Sequence, residues 1–220
     1  YWTMVHLNFA SLQEPISKDL FEKYMLELPT SMQVDILRFR RWEDSHTSLL
    51  GKIMLKNIAT RIFNMPDILH HIRYSAFNKP ELLGPISFNI SHSKKAVVCV
   101  MSQNLKVGVD LEHVESIDFP HFKEHMTDQE WDQILKAEDP KWKFFSFWTQ
   151  KESAIKADGR GLSLSLKELE VQHSRLIIEN KTWHLKELKL LNGYCCSIAS
   201  DQPLGDQDMR FEEFLVENRN

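Results

Sequence analysis

Residues 105–112 read Leu-Lys-Val-Gly-Val-Asp-Leu-Glu and show the clearest two-residue alternation in the chain. Such alternation predicts a strand with one apolar face and one polar face. Asp110 and Glu112 share the polar face, with their Cα atoms roughly 6–7 Å apart, and Gly108 on the same face lets a ligand approach the backbone. Either this face is solvated, or the two carboxylates bind a cation, for which oxygen ligands favour Mg2+.

Helices and strands are both predicted on each side of this strand. Apolar residues at helical spacing predict the helices Lys18–Leu28, His46–Ile62, Asp128–Ala137 and Lys141–Ala157. Shorter apolar runs predict the strands Ser87–Ile90, Ala96–Met101, Leu169–Val171, Leu176–Glu179, Thr182–Leu190 and Tyr194–Ala199. We therefore predict an α+β protein with two mixed halves, residues 1–104 and 105–220.

The composition excludes several classes of protein. The chain has 220 residues, with 27 Lys and Arg against 31 Asp and Glu, so it offers no broad basic surface for nucleic acid. No apolar run approaches the roughly 20 residues that span a bilayer, and the start of the chain lacks the pattern of a signal peptide. Three scattered cysteines suit a reducing compartment. We expect a cytoplasmic protein that contacts neither nucleic acid nor membrane.

The predicted helix Lys141–Ala157 carries a second pair of charged side chains. Glu152 and Lys156 are four residues apart, so they share one face of the helix. One interpretation is a surface ion pair. The other is that this carboxylate and lysine complete a Mg2+-pyrophosphate site together with Asp110 and Glu112.

A third polar group lies at the end of a predicted strand. Residues 88–93 read Phe-Asn-Ile-Ser-His-Ser, and Lys94 and Lys95 follow. Asn, Ser, His and Lys side chains together bind phosphate oxygens. The alternative is that His92 has a structural role and that both lysines are solvated in a turn.

Three stretches occur in the order and spacing of one protein family. They are Phe88–Ser93, Val107–Glu112 and Phe147–Lys156, and Asp110 and Glu152 are 42 positions apart. In these stretches the chain resembles the 4′-phosphopantetheinyl transferases of the surfactin-synthetase-type branch. Further similar stretches, which extend the resemblance to about residues 38–166, are Trp42–Gly51, Lys79-Pro80 and Gly159–Leu164.

The resemblance implies an enzyme that moves the 4′-phosphopantetheine arm of coenzyme A onto a serine of an apo acyl, peptidyl or related carrier protein, releasing adenosine 3′,5′-bisphosphate. It also implies a monomer of two pseudo-symmetric α+β halves with coenzyme A between them. The first half would hold the nucleotide. The second would carry the metal-binding carboxylates, the catalytic helix and the carrier-docking surface.

Individual roles follow from the same resemblance. Asp110, Glu112 and Glu152 would hold Mg2+, and Glu152 would also deprotonate the serine, directly or through water. Asp110, Glu152 and Lys156 would be the catalytic residues, with Lys156 on the pyrophosphate. The resemblance implies further contacts with coenzyme A. Lys79 and Pro80 would border the adenine, and Ser48 and Ser91 would lie near the nucleotide phosphates. His92 would contact the pyrophosphate.

The chain departs from the family at three basic positions, one of which is Thr47, where an arginine often follows the motif histidine. Met32 and Asp35 stand where basic residues often bind the 3′-phosphate of coenzyme A. Arginine residues nearby could bind the 3′-phosphate instead, and the candidates are Arg38, Arg40 and Arg41. The sequence does not decide among them, and Arg38 is the first to test.

Two other functions compete with the transferase. A Mg2+-dependent hydrolase of a nucleotide pyrophosphate would use the same carboxylates and lysine on water. A non-catalytic module that binds coenzyme A or a carrier would explain the altered basic positions, although the intact Asp110, Glu112, Glu152 and Lys156 argue against it. The sequence identifies neither the carrier protein nor the tolerance for acylated coenzyme A.

Overall fold

Two four-stranded sheets packed face to face form the centre of the computed structural model, which describes residues 4–116, 119–161 and 164–216. The helices are α1 (Lys18–Leu26), α2 (Thr30–Leu37), α3 (Trp42–Phe63), α4 (Asp128–Lys136) and α5 (Pro140–Asp158). The strands are β1 (Val5–Ser11), β2 (Arg73–Tyr74), β3 (Pro80–Glu81), β4 (Ile86–Ser93), β5 (Ala96–Gln103), β6 (Val107–His113), β7 (Arg175–Ile178), β8 (Lys181–Leu188), β9 (Tyr194–Ser200) and β10 (Met209–Glu213).

The first sheet has the strand order β10-β1-β5-β4 and the second has the order β6-β9-β8-β7. Neighbouring strands are antiparallel except β1 and β10, which are parallel, and through this pairing β10 joins the first sheet. The predicted α+β class is confirmed. The division at residue 104 and the pseudo-symmetry of the halves stay predictions.

Apolar side chains form successive layers across the molecule. Helix α3 covers the outer face of the first sheet, the two sheets pack on each other, and α5 covers the outer face of the second. Representative buried residues of these layers, from α3 to α5, are Leu50, Met101, Val98, Val109, Ile155 and Trp183. None of the helices in the described part of the chain combines the length and apolarity that a bilayer crossing requires.

Most predicted elements are present, with shifted ends, but one predicted strand is wrong. Residues 169–171 form no strand: Leu169 is buried beside α5, and the strand that follows starts at Arg175. The sequence pattern also missed β1, α2 and β10. In β10 only Met209 is buried and the next four residues are exposed, so its sequence carries no alternation to detect.

Helix α5 lies directly on strand β6 at Gly108. A Cβ atom at this position would collide with the backbone of Ser153 and Ala157 in α5. The expectation that Gly108 admits a ligand is therefore wrong, because the group that approaches its backbone is the helix. This close packing places Glu152 and Lys156 of α5 on the same side as the polar face of β6.

Strand β6 is an edge strand whose outward N–H groups are satisfied by side chains rather than by another strand. The donors are alternate residues of β6, and the acceptors are alternate side chains of β4 on the face toward the second sheet. The bonds are Val107 N to Ser87 Oγ (3.2 Å), Val109 N to Asn89 Oδ1 (2.9 Å), Leu111 N to Ser91 Oγ (3.2 Å) and His113 N to Ser93 Oγ (3.1 Å). We call these eight residues the seam; it joins the two sheets and brings two serines beside the acidic pair.

Candidate active site

Asp110 lies at the centre of the candidate site and is buried, with 3% of its surface exposed. Its Oδ1 atom accepts a hydrogen bond from Ser91 Oγ at 3.0 Å and lies 2.5 Å from Lys156 Nζ. Its Oδ2 atom is buried and has no hydrogen-bond partner among the described residues. The interpretation of a solvated strand face is therefore wrong for Asp110. A buried carboxylate oxygen without a donor is costly, and a cation is one group that satisfies it.

Glu112 and Glu152 lie within electrostatic range of Asp110. Burial, reinforced by the charge of Asp110, raises the pKa of Glu112 to about 7, although Ser93 Oγ donates a hydrogen bond to Glu112 Oε2 at 2.8 Å. Burial and the charge of Asp110 also raise the pKa of Glu152. Three acids that share a site with little water repel one another, and a bound cation relieves that repulsion.

Lys156 bridges the two elements that meet here. Its Nζ atom bonds to Asp110 on β6 and to Ser91 on β4, the latter at 3.0 Å. Among the described residues the ion-pair partner of Lys156 is thus Asp110 and not Glu152 of its own helix. The interpretation of Glu152 and Lys156 as a surface ion pair is therefore wrong. Burial disfavours its charge, but the surrounding carboxylates outweigh burial and raise its pKa above the ordinary value.

The two ends of α5 have local causes in the sequence. Asp139 caps the helix by accepting a hydrogen bond from Trp142 N at 2.9 Å, and Pro140 occupies the first turn. Gly159 ends the helix in a left-handed conformation with φ of 97°.

A buried ion pair anchors the middle of α5. Lys151 Nζ lies 2.5 Å from Glu130 Oε2 of α4, and the two side chains are 0% and 1% exposed. Lys151 also donates to the carbonyls of His125 and Leu166. The sequence analysis missed this pair, since no spacing rule connects residues on two different helices.

A cleft of about 620 Å³ opens beside these residues, a size within the usual range of ligand pockets. Residues 77–80 and 88–90 line one side, and Glu152, Ile155 and Lys156 line the other. Lys79 Nζ donates a hydrogen bond across the cleft wall to the carbonyl of Ala157 at 2.8 Å. The lining combines the charged side chains of Lys79, Glu152 and Lys156 with apolar ones such as Phe77 and Ile155, so the cleft suits a ligand with both an anionic group and an apolar part.

Two further predicted contacts, Ser48 and His92, lie on α3 and β4. Burial lowers the pKa of His92, the charges of Lys156 and Lys52 lower it further, and Asp44 opposes them. Ser48 Oγ accepts a hydrogen bond from Lys52 Nζ at 2.9 Å. The structure therefore brings Lys52, which the sequence analysis did not select, into the surroundings of the predicted phosphate contacts.

The structure does not bring Arg38 to the cleft wall. Arg38 is exposed, and its Nη1 atom pairs with Asp35 Oδ1 at 3.1 Å. Met32 belongs to α2 and is buried in the core. Of the alternatives, Arg41 pairs with Glu43 at 3.6 Å.

The carboxylates do not form a ready metal site. Among the described residues, no three His, Cys, Asp or Glu side chains are placed to hold a metal ion together. Lys156 Nζ instead occupies the position next to Asp110 Oδ1. The donors nevertheless fit a hard cation in kind, because they are carboxylate oxygens and the buried Asp110 Oδ2 lacks a partner.

Comparison with known proteins gives one consistent family. A sequence profile of the 4′-phosphopantetheinyl transferase superfamily matches residues 106–199. The 4′-phosphopantetheinyl transferase gsp of Aneurinibacillus migulanus is 29% identical over 205 residues, covering 90% of this chain and 86% of the relative. The 4′-phosphopantetheinyl transferase Sfp of Bacillus subtilis (strain 168) is 28% identical over 220 residues, covering 93% and 97%. The human L-aminoadipate-semialdehyde dehydrogenase-phosphopantetheinyl transferase is 29% identical over 200 residues, covering 74% and 64%.

Proposed function

We propose that this chain, a member of the 4′-phosphopantetheinyl transferase superfamily, transfers the 4′-phosphopantetheine arm of coenzyme A to a serine of an apo acyl or peptidyl carrier protein. Adenosine 3′,5′-bisphosphate is the other product. One observation carries the proposal: Asp110 of β6 is paired with Lys156 of α5, and Lys156 lines the cleft together with Glu152.

Lys156 suits the role of neutralising the pyrophosphate. Its ammonium group is held in place by Asp110 and Ser91, and an ammonium with two such partners has a third N–H to donate to a phosphate oxygen. Fixed positive charge near the atoms that become more negative is the largest contribution to phosphoryl transfer. His92, close enough to sense the charge of Lys156, provides a second contact.

Glu152 suits the role of accepting the proton of the serine. Burial and Asp110 raise its pKa, and a carboxylate with a raised pKa is a stronger base. Glu152 also lines the cleft, so a serine hydroxyl can reach it from solvent.

A magnesium ion fits the same acids. Asp110, Glu112 and Glu152 would hold it, supported by the unpartnered Asp110 Oδ2 and by the raised pKa of both glutamates. When bound, the ion would supply further positive charge to the pyrophosphate.

The proposal includes a cytoplasmic monomer. Ser91 of the first half meets Asp110 and Lys156 of the second within one chain, so these residues come together without a second copy. The cysteines Cys99, Cys195 and Cys196 are free and buried, as expected in a reducing compartment.

An assay of products tests the function. The purified chain is incubated with coenzyme A, Mg2+ and a panel of apo carrier proteins, and each carrier is weighed by intact-mass spectrometry. We expect one or more carriers to gain one phosphopantetheine group, and excess EDTA to abolish the gain. Cleavage of coenzyme A with no modified carrier would instead identify the hydrolase, and binding of coenzyme A without either product would identify the non-catalytic module.

A further inference from the structure

Ser91 of β4 is the point at which three elements of the candidate site meet. Its hydroxyl donates a hydrogen bond to Asp110 Oδ1 of β6 at 3.0 Å and accepts one from Lys156 Nζ of α5 at 3.0 Å. It also accepts a hydrogen bond from the backbone N–H of Leu111 at 3.2 Å, which is one of the bonds of the seam. Since Lys156 Nζ lies 2.5 Å from Asp110 Oδ1, the three side chains form a closed triangle of contacts.

The hydrogen-bonding capacity of the Ser91 hydroxyl is full. A serine hydroxyl has one proton to donate and two lone pairs that accept. The proton goes to Asp110, and the lone pairs take the N–H groups of Lys156 and Leu111, which can only donate. A hydrogen bond from this hydroxyl to a ligand would therefore replace one of the three bonds inside the protein.

Ser91 is also placed away from the ligand cleft. Only 5% of its surface is exposed. The described residues that line the cleft include Asn89 and Ile90 of the same strand, and Lys156, but not Ser91. Ser91 thus contacts Lys156 from the interior of the protein, whereas Lys156 itself reaches the cleft.

Two other serines of the seam have a different set of partners. Ser87 Oγ accepts the N–H of Val107, and Ser93 Oγ donates to Glu112. Within residues 4–116, 119–161 and 164–216, neither of these hydroxyls receives a hydrogen bond from a lysine. The contact with an ammonium group therefore distinguishes Ser91 from a serine that only joins the two sheets.

We propose that Ser91 is a positioning residue for the transfer reaction, and that its hydroxyl fixes the direction in which Lys156 offers its remaining N–H to the pyrophosphate of coenzyme A. This inference rests on the proposed function. Asp110 and Ser91 each take one of the three ammonium protons, so the tetrahedral geometry of the ammonium sets where the third one points. Without Ser91 the ammonium would turn about its bond to Asp110 and would meet the developing negative charge less often.

The variant S91A and the matched variant S87A test the inference with two readouts. The first is heteronuclear NMR of lysine ammonium groups, which detects those whose protons exchange slowly with water because acceptors hold them. We expect a Lys156 signal in wild type, identified by its loss in K156M, and we expect S91A to lose this signal and S87A to keep it. Lys151, which is fully buried and has acceptors on three other residues, gives a reference signal in S91A and S87A.

The second readout separates kcat from binding. We expect S91A to lower kcat by about ten- to hundredfold, the range for a hydrogen bond to a charged group. Calorimetric titration should give a coenzyme A affinity within about threefold of wild type, because Ser91 does not contact the ligand. S87A should keep both values. Circular dichroism checks each variant, and S91C, which has the size of serine but a weak hydrogen-bonding group, replaces S91A if the latter does not fold.

The outcomes separate this inference from the proposed function. A loss of about tenfold in coenzyme A affinity with kcat retained in S91A would make Ser91 a phosphate contact instead. A Lys156 signal that survives in S91A or is missing from wild type, or an unchanged kcat in S91A, would also overturn the positioning role. Wild type that modifies no carrier, with the NMR result as expected, would overturn the transferase and leave the placement of Lys156 by Ser91 standing.

Discussion

Helices α5 and α3 cover opposite outer faces of the packed sheets, and Lys52 of α3 is held differently from Lys151 and Lys156 of α5. On α5, Lys151 and Lys156 each have a carboxylate partner within 2.5 Å, supplied by another element. On α3, Lys52 has a serine of its own helix. The difference teaches that carboxylates of other elements fix Lys151 and Lys156 in place, whereas Lys52 is held only by a neutral group of its own helix among its hydrogen-bond partners.

Removal of Asp110, the partner of Lys156 on α5, is expected to have the largest effect on transfer. We expect Asp110→Ala to abolish transfer, because Lys156 loses its partner and the proposed metal loses a ligand. Intact-mass assays measure the loss, and circular dichroism confirms the fold. Turnover at the wild-type rate would show that neither the metal nor the fixed lysine matters.

Glu152→Gln tests whether the helix supplies a base as well as a charge. The substitution keeps the shape and removes both the charge and the basicity, so kcat should fall by roughly 10²–10⁴ with a smaller change in coenzyme A affinity. Glu138→Gln, an exposed position before α5, is the control. A residual kcat above about a tenth of wild type, which corresponds to less than about 1.4 kcal/mol, would contradict the base.

Lys151→Met sharpens the comparison by testing structure rather than chemistry. Its loss leaves Glu130 charged and buried without its lysine, which should lower the free energy of unfolding by about 3–5 kcal/mol. Urea denaturation measures the change. Lys136→Met removes an exposed pair with Asp132 and should cost at most about 1 kcal/mol. Similar losses in both variants would mean that burial of the pair adds nothing.

A fourth test concerns Ser93, the seam serine that donates a hydrogen bond to Glu112. Ser93→Ala removes the acceptor of His113 N and the donor to Glu112, so we expect a loss of about 1–3 kcal/mol in unfolding free energy and a lower kcat. Ser87→Ala removes a seam acceptor far from the acids and should lower stability without changing kcat. Equal kcat values in the two variants would show that the hydrogen bond from Ser93 to Glu112 does not affect catalysis.

The smallest expected effect concerns His46 on α3. Burial lowers its pKa, and its Nδ1 atom accepts a hydrogen bond from Ile16 N at 2.9 Å. A lowered pKa means that the unfolded chain binds the proton more readily, so this stabilisation is complete above about pH 6.5, the ordinary histidine pKa, and declines as pH falls. His46→Asn should unfold with a weaker pH dependence between pH 7 and 5. An identical pH dependence would show that His46 does not titrate on unfolding.

The sequence predicted what depends on local periodicity. The alternation of residues 105–112 located β6 and its acids, and helical spacing located Glu152 and Lys156 on one helix. What it did not predict depends on which elements pack together. The pairing of Lys151 with α4 and the approach of Lys52 to His92 join residues that are distant in sequence and share no spacing rule. The predicted strand 169–171 was wrong because burial against a helix also produces a short apolar run.

The parallel pairing of β10 with β1 has a consequence for the order of folding during synthesis. Three strands of the first sheet lie within residues 5–103, but the fourth comes from Met209–Glu213. While the ribosome makes the residues between them, β1 presents a free edge that can pair with another chain. The first sheet to be translated is therefore the last to be completed, and a nascent chain that stalls before residue 209 is exposed to aggregation.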